Sequence, residues 1–134
     1  MATPTTRHIP STFMCVIIIA AIKLALRSFG LGRTLRMVKR IRPHCGPVVL
    51  SHKPTVDAIT RRVATVSAYW PTRALCLEQS LTLYLLLGLS HIPAALCFGV
   101  RPYGFVAHAW VEWNGEPIEE KSDYIRQFLP MKLA

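Results

Sequence analysis

The stretch CLEQSLTLYLLLG, residues 76 to 88, constrains the fold most. Leucines 77, 81, 83, 85, 86 and 87 occupy nearly every face of a helix of this length. A helix that is apolar all round has to be covered on most sides. The rest of the chain must therefore wrap this segment, and 134 residues suffice for one core of that kind. The domain expected is 1–134, with a basic helical N-terminal region over 1–50 and a catalytic core over 55–130.

Patterns on either side predict what does the wrapping. Ser11 and Thr12 are candidate caps for a helix running to about residue 29, which Gly30 and Gly32 would break. A second helical stretch, 34 to 41, is dense in arginine and lysine. Val56, Ile59, Val63 and Val66 recur at helical spacing and predict an amphipathic helix over about 55 to 69, ended by Pro71. After Pro93 the pattern changes. Residues 95 to 101, ALCFGVR, and 106 to 113, VAHAWVEW, read as strands. Asn114-Gly115 then marks a hairpin, with EPIEE as the return strand. The tail DYIRQFLP is expected to pack on the sheet. Helices first and a small antiparallel sheet after them make an α+β domain.

Charge is divided unevenly. The formal net charge is +9, and the first 75 residues hold twelve Lys/Arg against one acid, Asp57. A basic half of this kind suits a polyanion, an acidic peptide or an acidic protein surface. The arginines between 33 and 42 lack the interleaved aromatic residues of a nucleic-acid face, so no nucleic acid is expected. Four cysteines without a CxxC pair indicate reduced, intracellular thiols. The apolar run from Phe13 to Ile22 has no cleavage-site pattern behind it, and Lys23 interrupts it well short of the ~20 residues of a membrane span. A membrane-surface helix stays open. The stretch HCGPVVLSH lacks four good zinc ligands, and the chain carries no phosphate-binding glycine loop, so neither metal nor cofactor is expected.

Cys76 stands at the mouth of the leucine-rich helix, where free backbone N–H groups and the helix dipole favour thiolate. Cys15 and Cys97 fall in apolar elements and read as core, while Cys45 in a Pro/Gly loop is undecided. A nucleophilic cysteine needs an imidazole within reach and a group to orient it. His108 on the second strand is the candidate base and shares a strand face with Trp110 and Glu112. The return strand supplies carboxylates in either of two registers. A two-residue turn at Asn114-Gly115 pairs 113 with 116, leaving Glu119 diagonal to His108. A three-residue loop with Gly115 left-handed pairs 112 with 116 and puts Glu120 directly opposite.

Three segments, ALCLEQSLTLYLLL, HIPAALCFGVRP and AHAWVEWNGEPIEE, resemble the transglutaminase-like cysteine peptidases of lasso peptide biosynthesis over about residues 55 to 130. The resemblance implies a papain-like core and the removal of a leader from a ribosomally made precursor ahead of an ATP-dependent cyclase. It assigns Cys76 as nucleophile, His108 as base and Glu120, where the family carries Asp, as the orienting acid. It favours the three-residue register and Glu120 over Glu119. It also implies a separate leader-recognition protein as partner, a cytoplasmic setting with the membrane surface open to the N-terminal helix, and no cofactor. Arg101, Tyr103 and Phe105, in the loop between the strands, are the candidate substrate contacts. The alternative is a basic adaptor without enzymatic activity, binding a membrane surface or an acidic partner. Transfer to an amine in place of water is a second enzymatic alternative.

Overall fold

The computed structural model describes residues 10–43, 45–47, 50–70, 76–102, 106–118 and 122–131. Helices α1 (Thr12–Ile41), α2 (Lys53–Ala68) and α3 (Cys76–Leu89) come first, with a short 3₁₀ turn, Leu50–His52, before α2. The strands β1 (Ala95–Arg101), β2 (Val106–Trp113) and β3 (Glu116–Pro117) follow, then α4 (Ser122–Ile125) and β4 (Leu129–Met131). The sheet runs β3-β2-β1-β4 with every pairing antiparallel, so the architecture is α+β.

The leucine-rich helix is central, as its composition requires. Ser80 through Gly88 are buried without interruption, and Leu81, Leu86 and Leu87 are wholly covered. Burying such a side chain contributes roughly 1.5–3 kcal/mol, so α3 carries much of the core energy. On α2, Val56, Ile59, Val63 and Val66 face inward, and Pro54 sits in the first turn, where a missing N–H costs nothing.

α1 is read from sequence as two helices, and its backbone does leave helical geometry at Gly30. Ser11 caps it, its hydroxyl accepting from the Met14 N–H at 3.1 Å. Gly30 has φ 79°, a left-handed value that glycine adopts without steric cost, while Gly32 stays inside the helix. By length and composition α1 is long and apolar enough to cross a membrane. In this fold Cys15, Ile19 and Ile22 pack on the core, and Phe13, Ile17 and Leu24 form an exposed stripe.

Within α1 the charge of Lys23 is paired. Its Nζ lies 2.7 Å from Glu78 Oε2, and both side chains are mostly buried. Arg42, just past the end of α1, reaches the other end of α3. Its Nε donates to the Tyr84 carbonyl at 3.1 Å and its Nη2 to the Ile92 carbonyl at 3.3 Å, with the guanidinium 3.9 Å above the Tyr84 ring. Gly88 makes room for it, since a Cβ there would overlap the Arg42 side chain. Arg62 on α2 donates to the Pro10 carbonyl at 2.6 Å. Part of the basic N-terminal half thus builds the interior instead of facing a partner.

The hairpin departs from the three-residue register. Trp113 pairs with Glu116 and Glu112 with Pro117, so the loop is the two-residue turn Asn114-Gly115. Both loop residues have positive φ, 54° and 76°, which is the type I′ geometry that matches strand twist. The Ile118 N–H donates to the Val111 carbonyl at 2.8 Å. Pro117 therefore falls between hydrogen-bonded pairs, where a strand loses no ladder bond to proline. The tail does more than pack on the sheet, for Leu129–Met131 pairs with β1 as a fourth strand.

Candidate active site

Cys76 opens α3 and its side chain is exposed. One turn on, Gln79 and Ser80 lie three and four residues away, on the same side of the helix. Ser80 donates to the Ala109 carbonyl at 2.9 Å and is buried, which pins the start of α3 to β2 beside His108. A small cleft of about 70 Å³ lies at this junction. Cys76, Gln79, Ser80 and Leu83 line it from α3, and His108 to Val111 line it from β2. Thr60 and Val63 of α2 and Ile118 complete it.

The faces of β2 alternate around the cleft. Val111 and Trp113 join the core against the helices, while His108 and Trp110 turn to the other face. There the imidazole stacks on Trp110 with ring centroids 5.9 Å apart, and lies 5.4 Å from Phe128 and 5.7 Å from Tyr124. Gly99, paired with His108, admits this packing, since a Cβ on it would come within 2.6 Å of Phe128 Cβ. Three aromatic rings therefore surround the imidazole on this face of the sheet.

The other expected residues fare unequally. Arg101 ends β1 opposite Val106, two pairs beyond the Gly99–His108 pair, and does not line the cleft. Tyr103, Phe105, Glu119 and Glu120 lie outside the described residues. The three-residue register that set Glu120 opposite His108 is not adopted, so the assignment of Glu120 now rests on the resemblance alone. Ser80 and Gln79 were not singled out, though two polar residues one turn after a helix-start cysteine are a readable signal. Phe128 and Tyr124 had no such signal, because they reach His108 only through the tail.

The remaining thiols separate by environment. Cys15 is wholly buried, and burial raises its pKa, offset in part by Arg62. Cys97 is not a core residue facing the helices. It pairs with Trp110 on β2 and is only half-buried. Its thiol is pushed up to about 11, first by burial and then by the Glu112 carboxylate. That same carboxylate accepts from Trp110 Nε1 at 3.1 Å. Cys45 lies half-buried with its Sγ 4.0 Å from Arg42 Nη2. Among the described residues no group of three His, Cys, Asp or Glu is placed to hold a metal. At neutral pH iodoacetamide is expected to modify Cys76 well before Cys15 and Cys97. Cys97 should gain reactivity only as pH climbs towards about 11, because only its thiolate attacks. Peptide mapping of the alkylated chain checks the order, and equal labelling of the three would remove Cys76 as the distinctive thiol.

The family model described as the transglutaminase-like superfamily matches residues 16–132. The chain belongs to the transglutaminase-like superfamily. Neither a curated protein nor a solved structure gives a significant match. Membership accounts for the layout seen here, helices followed by a small antiparallel sheet around a papain-like α+β core. The transglutaminase-like superfamily includes cysteine peptidases. Its match runs through α1 as well as through α3 and the sheet.

Proposed function

We propose that the protein is a cysteine peptidase that removes the leader from a ribosomally made lasso peptide precursor. The observation that carries the reading is the cleft shared by Cys76, at a helix start, and His108, on the neighbouring strand. In this reading His108 takes the thiol proton and the thiolate attacks the carbonyl of the leader's last residue. The C–N bond breaks as His108 returns the proton to the leaving amine, which becomes the new N-terminus of the core peptide. Water then hydrolyses the thioester, and the thiol is restored. The N–H of Cys76 is assigned a share of the oxyanion's charge. Closure of the thiol–imidazole pair belongs to the substrate complex, where such hydrogen bonds tighten. Glu120 is proposed to orient the imidazole, and Arg101, Tyr103 and Phe105 to contact substrate. No step calls for a cofactor.

The proposal brings partners with it: the precursor, a separate leader-recognition protein and an ATP-dependent cyclase, all acting in the cytoplasm. The test is precursor cleavage followed by mass spectrometry, with and without the recognition protein. Slow cleavage alone and a rate at least tenfold higher with the partner are expected, because the partner delivers the leader at high effective concentration. Equal rates with and without it would end the split arrangement, and no leader product in either case would end the peptidase reading.

One observation favours a second reading, a basic adaptor at a membrane surface. The exposed stripe Phe13, Ile17 and Leu24 is followed by Arg33, Arg36 and Arg40, all outward. An apolar face with basic flanks suits an anionic lipid interface. The precursor assay separates the two, since an adaptor yields no cleavage.

A further inference from the structure

An open groove of about 620 Å³ adjoins the cleft and has no role in the chemistry above. One wall is α2, through Lys53, Val56, Asp57, Thr60 and Arg61. The other is the β2–β3 hairpin, through Trp113, Asn114, Glu116, Pro117 and Ile118. Thr60 and Ile118 line both the groove and the cleft, so the two spaces share a border. From Lys53 to Thr60 the helical wall is about 10 Å long at ~1.5 Å per residue. At ~3.3 Å per residue, that length takes about three residues of extended chain.

Two features define what fits. Trp113 lines the groove and is more than nine-tenths buried, yet its indole N–H has no hydrogen-bond partner among the described residues. A buried donor left unmade is rare in folded proteins, and a ligand that brings an acceptor completes it. The charged lining balances, with Lys53 and Arg61 against Asp57 and Glu116, and Lys53 Nζ lies 3.6 Å from Asp57. A polyanion gains nothing from such a rim, whereas an extended peptide offers the indole its backbone carbonyl.

We infer that this groove binds about three residues of the substrate peptide beside the cleaved bond, with the Trp113 N–H donating to a backbone carbonyl. The inference rests on the peptidase reading, and the experiment keeps the two apart. The chain carrying Cys76→Ala, with its tryptophans labelled by ¹⁵N, is titrated with a capped ten-residue peptide spanning the leader–core junction of the precursor. The unsubstituted chain is incubated with full-length precursor and the recognition protein and scored for cleavage. The Trp113 indole resonance is expected to shift on titration. Arg61→Trp, a bulky replacement at an exposed position, should weaken that response about fivefold or more. Trp113→Phe keeps the ring and removes the donor, and should raise KM about fivefold with kcat within about twofold. An indole that stays still at millimolar peptide, while the unsubstituted chain cleaves the precursor, overturns the groove and leaves the peptidase reading standing. A shift without any cleavage supports the groove and overturns the peptidase. Neither shift nor cleavage overturns both.

Discussion

Cys76→Ala is expected to abolish leader removal while the fold stays intact. The side chain is exposed at the first residue of α3, so its loss opens no cavity in the core. Substitutions at such surface positions usually change stability by less than about 0.5 kcal/mol. The chemistry, by contrast, loses the atom that forms the thioester, and the cleft offers no second thiol. Cys15 is buried in α1 and Cys97 belongs to the sheet beside Glu112. Precursor cleavage by the purified variant should fall below about a hundredth of the unsubstituted rate, with unchanged circular dichroism. Residual cleavage above that level in a folded variant would remove Cys76 as nucleophile. Cys97→Ala should keep activity and lose about 1 kcal/mol of stability, as expected for truncating a small, partly covered group.

Glu120→Gln is expected to lose most activity, by as much as about 10⁴-fold, while Glu119→Gln loses little. An acid that holds the imidazole in one tautomer and stabilises its cation can matter on that scale even when nucleophile and base remain. The resemblance points to Glu120. The observed two-residue turn is the register for which the sequence predicts Glu119, not Glu120, near the imidazole. Measuring kcat for both variants decides between them. Glu120→Asp should recover part of the lost rate, since Asp is the residue implied by the resemblance. If Glu119→Gln proves the damaging change, the register outweighs the resemblance, and if neither variant loses activity the orienting group lies elsewhere.

Local patterns were legible in the sequence, and contacts between distant segments were not. The buried helix, the two long strands and the Asn-Gly hairpin were readable because periodicity and turn chemistry are properties of neighbouring residues. That Cys76 opens a helix and His108 lies on a strand was readable in the same way. The three-residue register failed on local chemistry itself, because asparagine tolerates the left-handed value that a type I′ turn demands at its first position. β4 left no periodic trace, being three residues long with Pro130 in the middle. The aromatic packing around His108 depends on that same strand, so it too was hidden. The role of Lys23 as a bound counter-charge was equally invisible, since its partner Glu78 lies 55 positions away.

The grip of α1 on both ends of α3 sets what can be exchanged or trimmed. Lys23 holds the mouth of α3 through Glu78, and Arg42 holds its tail beside Gly88. A fragment starting near residue 55 would keep every candidate catalytic side chain and lose both anchors. Glu78 would then lose its cation and the helix that covers it together, and the apolar face of α3 under α1 would be opened to water. Chimaeras meet the same rule, because a borrowed first helix works only if it brings a cation to each of these two places and the recipient keeps glycine at 88. The smallest heritable unit of this architecture is therefore the pair of helices together, and drift in the one is answerable to the other.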